Sequence, residues 1–216
     1  MGKVRPWERT ESEKISLKDF EIIEKVKKFG CEILPEFKVE KETEQYYIDL
    51  IKYFTAKEGN LDPKKGLLIC GNVGTGKTLS MKLMRHIFKN FNIINTRYVV
   101  RDFFAEEIPT KIIDKYGRNS YFKTPTGGFN KEKPITICFD DFGLENVNVK
   151  NYGNEQNILE EIILDRYDEY LAHGMRTFAT TNLTAKMIEE CYGSRVRDRL
   201  REMMNYVTLD GKSKRK

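Results

Sequence analysis

The chain has no apolar run long enough to cross a membrane, and its opening stretch MGKVRPWERTESEK holds no signal-peptide core. Met1-Gly2 begins a myristoylation pattern, but Pro6 stands where Ser or Thr is needed. Cysteine is sparse: Cys31, Cys70, Cys138 and Cys191 are scattered, and no pair has zinc-ligand spacing. Histidine is scarcer still, and neither His86 nor His173 has a paired ligand nearby in sequence. Internal repeats and low-complexity tracts are absent. These absences exclude a disulfide framework and a zinc module, and a reducing cytoplasm is the simplest compartment.

What is present suits a soluble α/β protein. The 216 residues suffice for one such domain with a real core plus a short extra segment. Charged residues make up 33%, and mean hydropathy is -0.59. The net charge of +5 permits contact with nucleic acid without demanding it. The basic tail Lys212-Ser213-Lys214-Arg215-Lys216 supplies much of that excess.

The most informative stretch is GNVGTGKT, Gly71 to Thr78, directly behind the apolar run Gly66–Cys70. It matches G-x-x-x-x-G-K-T, a phosphate-binding loop. Glycines let the backbone approach a ligand, and successive N–H groups form an anion nest. The helix starting near Lys77 adds its N-terminal partial charge. The nucleotide-binding run is Gly71, Asn72, Val73, Gly74, Thr75, Gly76, Lys77, Thr78 and Leu79. Lys77 would reach the β- and γ-phosphates of ATP, and the Thr78 hydroxyl would ligate Mg²⁺. Leu79, Leu83 and Ile87 recur at four-residue spacing, as in a helix packed on a sheet.

Elsewhere the patterns predict a disordered residue 1–12 stretch, a helix over 13–29 stopped by Gly30, and a helix over 42–56. Strands are expected at RYVVR (97–101), ITICF (135–139) and RTFATT (176–181). Helices are expected over 102–116, interrupted at Pro109, and over 155–173. Two short helices, AKMIEECYG and RVRDRLREM, precede a last strand, YVTLD. Alternating β and α elements with near-continuous apolar strands imply a parallel sheet with helices on both faces.

The strand ITICF runs into Asp140-Asp141, the Walker B pattern. Asp140 would hold Mg²⁺, and Asp141 would orient and polarise the attacking water. Aspartate is a methylene shorter than glutamate, so slow or partner-dependent hydrolysis is expected. The strand RTFATT ends at Asn182, a candidate to hydrogen-bond the γ-phosphate or the water, with Thr181 as the reserve; Asn182 could equally cap the following helix. In YGSRVRDRLREM the arginines alternate, so on a helix Arg195 and Arg199 share one face, and Arg197 and Arg201 another. One pair would meet acids of the fold and the other a neighbouring subunit's nucleotide; a solvated basic face is the plainer alternative.

GNVGTGKT, ICFDDFG, the TTNL strand end and YGSRVRDRL, in that order, resemble the DnaC/IstB-like AAA+ ATPases, the bacterial and phage helicase loaders and transposition helpers. DRYDEYLAHGMRTFATTNL and the ending VTLDGKSKR add to the likeness, which spans Glu42 to Arg215. The resemblance implies an AAA+ type P-loop NTPase fold without a large lid domain after the last strand. It divides the chain into a tail and helix over 1–41, a possible partner-docking segment, and an ATPase domain over 42–216. It implies a nucleotide sandwiched between subunits of a homo-oligomer. Lys77, Asp141 and Asn182 would act in one subunit, and Arg199 matches the arginine finger. Arg195 matches the arginine of a G-E-R run, here G-S-R with Ser194 in place of the acid. Arg215 matches a late arginine that senses nucleotide in cis.

The resemblance implies an ATPase acting on DNA, most simply a helicase loader on single strands with a replicative helicase as partner. The alternative is a transposition helper on duplex DNA beside a transposase. A small-molecule kinase and an ATP switch with little turnover are the readings from other classes. The stretch 111–133 mixes Lys111, Lys115, Arg118, Lys123 and Lys131 with Tyr116, Tyr121, Phe122 and Phe129. Such a mixture fits single-stranded nucleic acid, or an ordinary surface loop.

Overall fold

The computed structural model describes residues 19–145, 149–151, 154–211 and 213. The expected disorder of residues 1–12 and the role of Arg215 fall outside the described residues. Helix α1 (Asp19–Ile33) is followed by a short 3₁₀ turn (Lys41–Thr43) and α2 (Glu44–Phe54). Then come β1 (Gly66–Cys70), α3 (Lys77–Phe88), β2 (Asn92–Asn95), α4 (Thr96–Ala105) and α5 (Thr110–Tyr116). A hairpin of β3 (Tyr121–Lys123) and β4 (Phe129–Pro134) precedes β5 (Ile137–Phe142). A second small hairpin, β6 (Val149–Asn151) and β7 (Asn154–Gln156), leads to α6 (Ile158–His173). The fold closes with β8 (Thr177–Thr181), α7 (Ala185–Met203) and β9 (Met204–Thr208).

Five strands form one parallel sheet in the order β2-β5-β8-β1-β9. The strands are apolar on both faces because helices cover both. On one face Val99, Phe103, Ile113, Ile162 and Leu200, from α4 to α7, make one core. On the other, Val26, Leu50 and Met84, from α1, α2 and α3, make a second core with Phe178 of the sheet. All strands enter from one end, so the loops after β1, β5 and β8 gather at their carboxyl ends, where such sheets bind ligands.

Two local expectations are corrected. RYVVR is not a strand: it lies in α4, and the edge strand is the preceding Asn92–Asn95. Asn95 accepts a hydrogen bond from the Arg97 N–H and so caps α4, and Val99, Val100 and Phe103 then fall on one buried helical face. Gly30 does not stop α1, which runs on to Ile33 with Gly30 buried inside it. The stretch 111–133 holds most of α5, within the helix expected to 116, and then a hairpin. The two short helices late in the chain are present, joined through a kink at Gly193, whose φ is +82°.

Candidate nucleotide site

The loop after β1 turns into α3 at Gly76, whose φ of +103° is one that L side chains rarely adopt. A Cβ at Gly76 would meet nothing within 4 Å, so the backbone here lies open along the cleft it lines. Lys77 is buried, and its Nζ donates to Gly71 O at 2.7 Å, Asn72 O at 2.8 Å and Asn182 Oδ1 at 2.5 Å. The last contact joins positions 105 residues apart and brings the end of β8 to the phosphate loop. Asn182 is therefore not the cap of α7: Thr184 is, accepting from the Met187 N–H. Burial pushes the Cys70 thiol up in pKa against the opposing pull of the Lys77 charge.

Thr78 Oγ1 donates to Asp140 Oδ1 at 2.8 Å. Thr180 Oγ1 donates to the same oxygen at 2.7 Å and accepts from the Asp141 N–H at 3.1 Å. In a regular strand, neighbouring side chains point to opposite faces. Here the pairing of β5 with β8 skips between Phe139 and Phe142, and Asp141 takes a φ of +60°. That irregularity lets Asp141 line the cleft while Asp140 turns to Thr78. A non-glycine residue in this backbone region stores strain, which concentrates at functional positions. The Asp141 carboxylate accepts from Asn95 Nδ2 at 3.0 Å, and its carbonyl from Thr96 Oγ1 at 3.0 Å.

The chemistry of this donor set fits a nucleoside triphosphate with Mg²⁺. The open backbone at Gly76 and the Lys77 ammonium suit phosphate oxygens. The Thr78 hydroxyl and Asp140 carboxylate are the hard oxygen donors that Mg²⁺ takes. Among the described residues no three His, Cys, Asp or Glu side chains cluster to hold a metal alone. Thr78 and Asp140 would hold Mg²⁺ together with water and phosphate oxygens. The cleft has a volume of about 1370 Å³, and besides the loop it is lined by Asp141, Asn182, Arg97 and residues from 34–47.

Arg195 and Arg199 do not line this cleft. The expected pairing of arginines by helix face is also corrected. Arg197 pairs with Glu189 at 2.8 Å, and Arg199 donates to Tyr167 Oη at 3.0 Å while lying 4.3 Å over its ring. Arg195 and Arg201 are exposed. In an unbroken helix, residues eight apart lie about 12 Å apart along the axis. The kink at Gly193 lets Arg197 fold back to Glu189 instead.

Sequence reasoning missed Asn95, Thr180 and Arg97. Asn95 was hidden by the misplaced strand, and its capping position ahead of a Val-Val-x-x-Phe face was the available signal. Thr181, the reserve for Asn182, is used by the fold: it donates to Phe142 O at 2.6 Å and accepts from the Leu183 N–H.

No protein-family model matches the chain, and no curated protein matches it by sequence. Solved structures do match. DnaI superposes with a TM-score of 0.57 at 17% identity, over 84% of this chain and 89% of that one. The DnaC helicase loader gives 0.52 at 17% identity, over 80% and 93%. AMPPCP-bound DnaA from Aquifex aeolicus gives 0.53 at 15% identity, over 82% of this chain and 49% of that one. Strand order, helix placement and these superpositions agree: the chain has the α/β P-loop fold of the AAA+ type, as in DnaC and DnaI.

Proposed function

We propose that this protein binds and hydrolyses ATP as a DnaC-like AAA+ ATPase acting on DNA, most simply as a cytoplasmic helicase loader. The observation that carries the reading is the convergence of Lys77 with Asn182, and of Thr78 with Asp140, at the carboxyl ends of three neighbouring strands. Lys77 exchanges loop carbonyls for β- and γ-phosphate oxygens when the triphosphate binds. Asn182 steers the Lys77 ammonium and faces the γ-phosphate. Asp141, held by Asn95, orients the attacking water. Thr78 and Asp140 would hold Mg²⁺, which would supply charge neutralisation at the phosphates. Gly71 to Leu79 form the rest of the cradle.

Arg199 and Arg195 act in trans, on the nucleotide of a neighbouring copy, with Arg215 sensing nucleotide in cis. The likeness to DnaC and the absence of Arg195 and Arg199 from their own cleft support that arrangement. An arginine in trans makes turnover depend on a homo-oligomer. Residues 1–41 would carry the docking segment for a replicative helicase, with 42–216 as the ATPase domain. The inner face of α1 is spent on α2 and α3, so docking would use its outer face, where Phe20 is 74% exposed. Single-stranded DNA would lie on the β3–β4 hairpin, where Phe122 and Phe129 are 58% and 42% exposed.

The test is ATP hydrolysis across a protein concentration series, without DNA, with single strands and with duplex. Steep concentration dependence with single-strand stimulation is expected. Preference for duplex would favour a transposition helper. A rate linear in protein and indifferent to DNA would overturn the reading. Replacing Phe122 and Lys123 together by Ala should remove the single-strand stimulation and leave basal turnover in place.

A further inference from the structure

A buried carboxylate outside the cleft holds the turn that follows Asp141. The Leu144 N–H donates to Asp141 O at 3.0 Å, and Gly143 between them has a φ of +96°. A Cβ on Gly143 would lie 2.3 Å from Leu183 Cδ1, so the turn admits no side chain there. Glu145 closes the turn: one carboxylate oxygen accepts from the Gly143 N–H at 3.0 Å, and the other accepts from the Tyr192 hydroxyl. A carboxylate acceptor makes each bond stronger than a neutral one would be. Tyr192 is buried, and its ring stacks on Phe142 with centroids 4.5 Å and planes 15° apart. Phe142 directly follows Asp141, so ring and hydroxyl both fix the strand end that presents Asp141 to the cleft. Tyr192 is also the last residue of α7 before the Gly193 kink, beyond which come Arg195 and Arg199. Asn157 pins the same turn of α7 by donating to Cys191 O at 3.2 Å. Burial first, and the Glu145 carboxylate after it, push the Tyr192 phenol up in pKa, so the hydroxyl remains the donor.

We infer that Glu145 and Tyr192 are positioning residues that join a subunit's own Asp141 to the arginines it extends to a neighbouring copy. This rests on the proposals that Asp141 orients the attacking water and that Arg199 acts in trans. Neither Glu145 nor Tyr192 lines the cleft, so both act through the residues they seat. Close packing leaves the joint little freedom. A shift of the Asp141 turn therefore moves Tyr192, and with it the root of the arginine half of α7.

Complementation between two full-length variants tests the joint. An Asp141→Asn chain keeps its arginines and lacks turnover; an Arg199→Ala chain keeps its own Asp141 and offers its neighbour no arginine. Their mixture should recover hydrolysis, in clefts of the second chain served by arginines of the first. Tyr192→Phe, which keeps the ring stack and removes only the hydroxyl, is then added to one chain at a time. In the Arg199→Ala chain it loosens Asp141; in the Asp141→Asn chain it loosens the arginine arm. In each placement kcat of the mixture should fall about tenfold, the loss of one charge-assisted hydrogen bond, with KM for ATP unchanged. A loss in one placement only, or in neither, overturns the joint. A KM that rises as far as kcat falls also overturns it, since general loosening of the fold would do that. Glu145→Gln, which keeps the shape and removes the charge, gives the same readings if Tyr192→Phe fails to fold. A mixture without Tyr192→Phe that stays inactive, while the wild type hydrolyses ATP, would overturn the arginine in trans, and the joint with it.

Discussion

At the carboxyl end of β8, Thr180 and Asn182 join Asp140 and Lys77; at its amino end, Thr177 accepts a hydrogen bond of 2.7 Å from Arg166 Nε. Both ends are buried polar networks. The Arg166 guanidinium is 0% exposed and also donates to Tyr116 O, Ile135 O and Arg176 O, at 2.9, 3.1 and 2.9 Å. Among the described residues no carboxylate pairs with it. Burial pulls its pKa down to about 9, so the group stays charged at neutral pH. Strong perturbation is often taken to mark a functional site. Here it marks a clamp: Arg166 ties α6 to the end of α5, the root of the β3–β4 hairpin and the start of β8. The other end lines a cleft, and its partners are side chains that can exchange. Burial of a charge is common to both ends; access to a ligand separates them.

The contrast breaks most sharply at Asp141. Asp141→Asn should lower turnover by about a hundredfold or more, since a positioned base contributes that much, while ATP affinity and the thermal midpoint stay near wild type. Single-turnover hydrolysis beside equilibrium binding checks this, and retained turnover would move water activation elsewhere. Arg166→Met should do the reverse. It orphans three buried carbonyls and should cost about 3 kcal/mol of stability, read from the urea midpoint. A midpoint near wild type would remove the clamp from the account.

Asn95→Ala sharpens the site end. Without the 3.0 Å contact to Asp141 the carboxylate loses its orientation, and kcat should fall about tenfold with KM unchanged. A rise in KM alone would assign Asn95 to binding. The smallest effect at working pH is at Tyr53, which meets the Arg166 end only through Arg176. Tyr53 donates to Lys65 O at 2.6 Å, and burial pushes its pKa up to about 12, against the lowering pull of Arg176. Its folded pKa lies above the unfolded value of about 10. The stabilisation is therefore complete below pH ~10 and is lost as pH rises through about 12. The alkaline loss of helical circular dichroism in the wild type should exceed that of Tyr53→Phe in that window; identical alkaline transitions in the two proteins would contradict it.

Legibility followed sequence distance. Lys77 and Thr78 were readable because their spacing is local and the flanking β1 and α3 patterns agreed with it. Asp140 and Asp141 were readable as a pair, but plain alternation sends them to opposite faces, and the irregularity that puts Asp141 on the cleft is not announced by the pattern. Arg197 and Arg199 were visible as residues, while their partners Glu189 and Tyr167 depended on the Gly193 kink and on α6 packing. Asn95 was lost to a strand placed one element late, because Val99 and Val100 suit a strand as well as a buried helix face. Gly30 read as a helix stop, since nothing local shows that Phe37 packs against it.

The amino-acid sequence by itself determined the phosphate loop, the acidic strand end and the alternation of strand and helix. Each depends on backbone preference and periodicity over a few residues. Only the tertiary structure decided that Asn182 meets Lys77, that Thr180 holds Asp140, that Arg166 is sealed, and that residues 34–47 join the cleft. Those outcomes depend on which distant segments share a buried space, and chain neighbours carry no record of that.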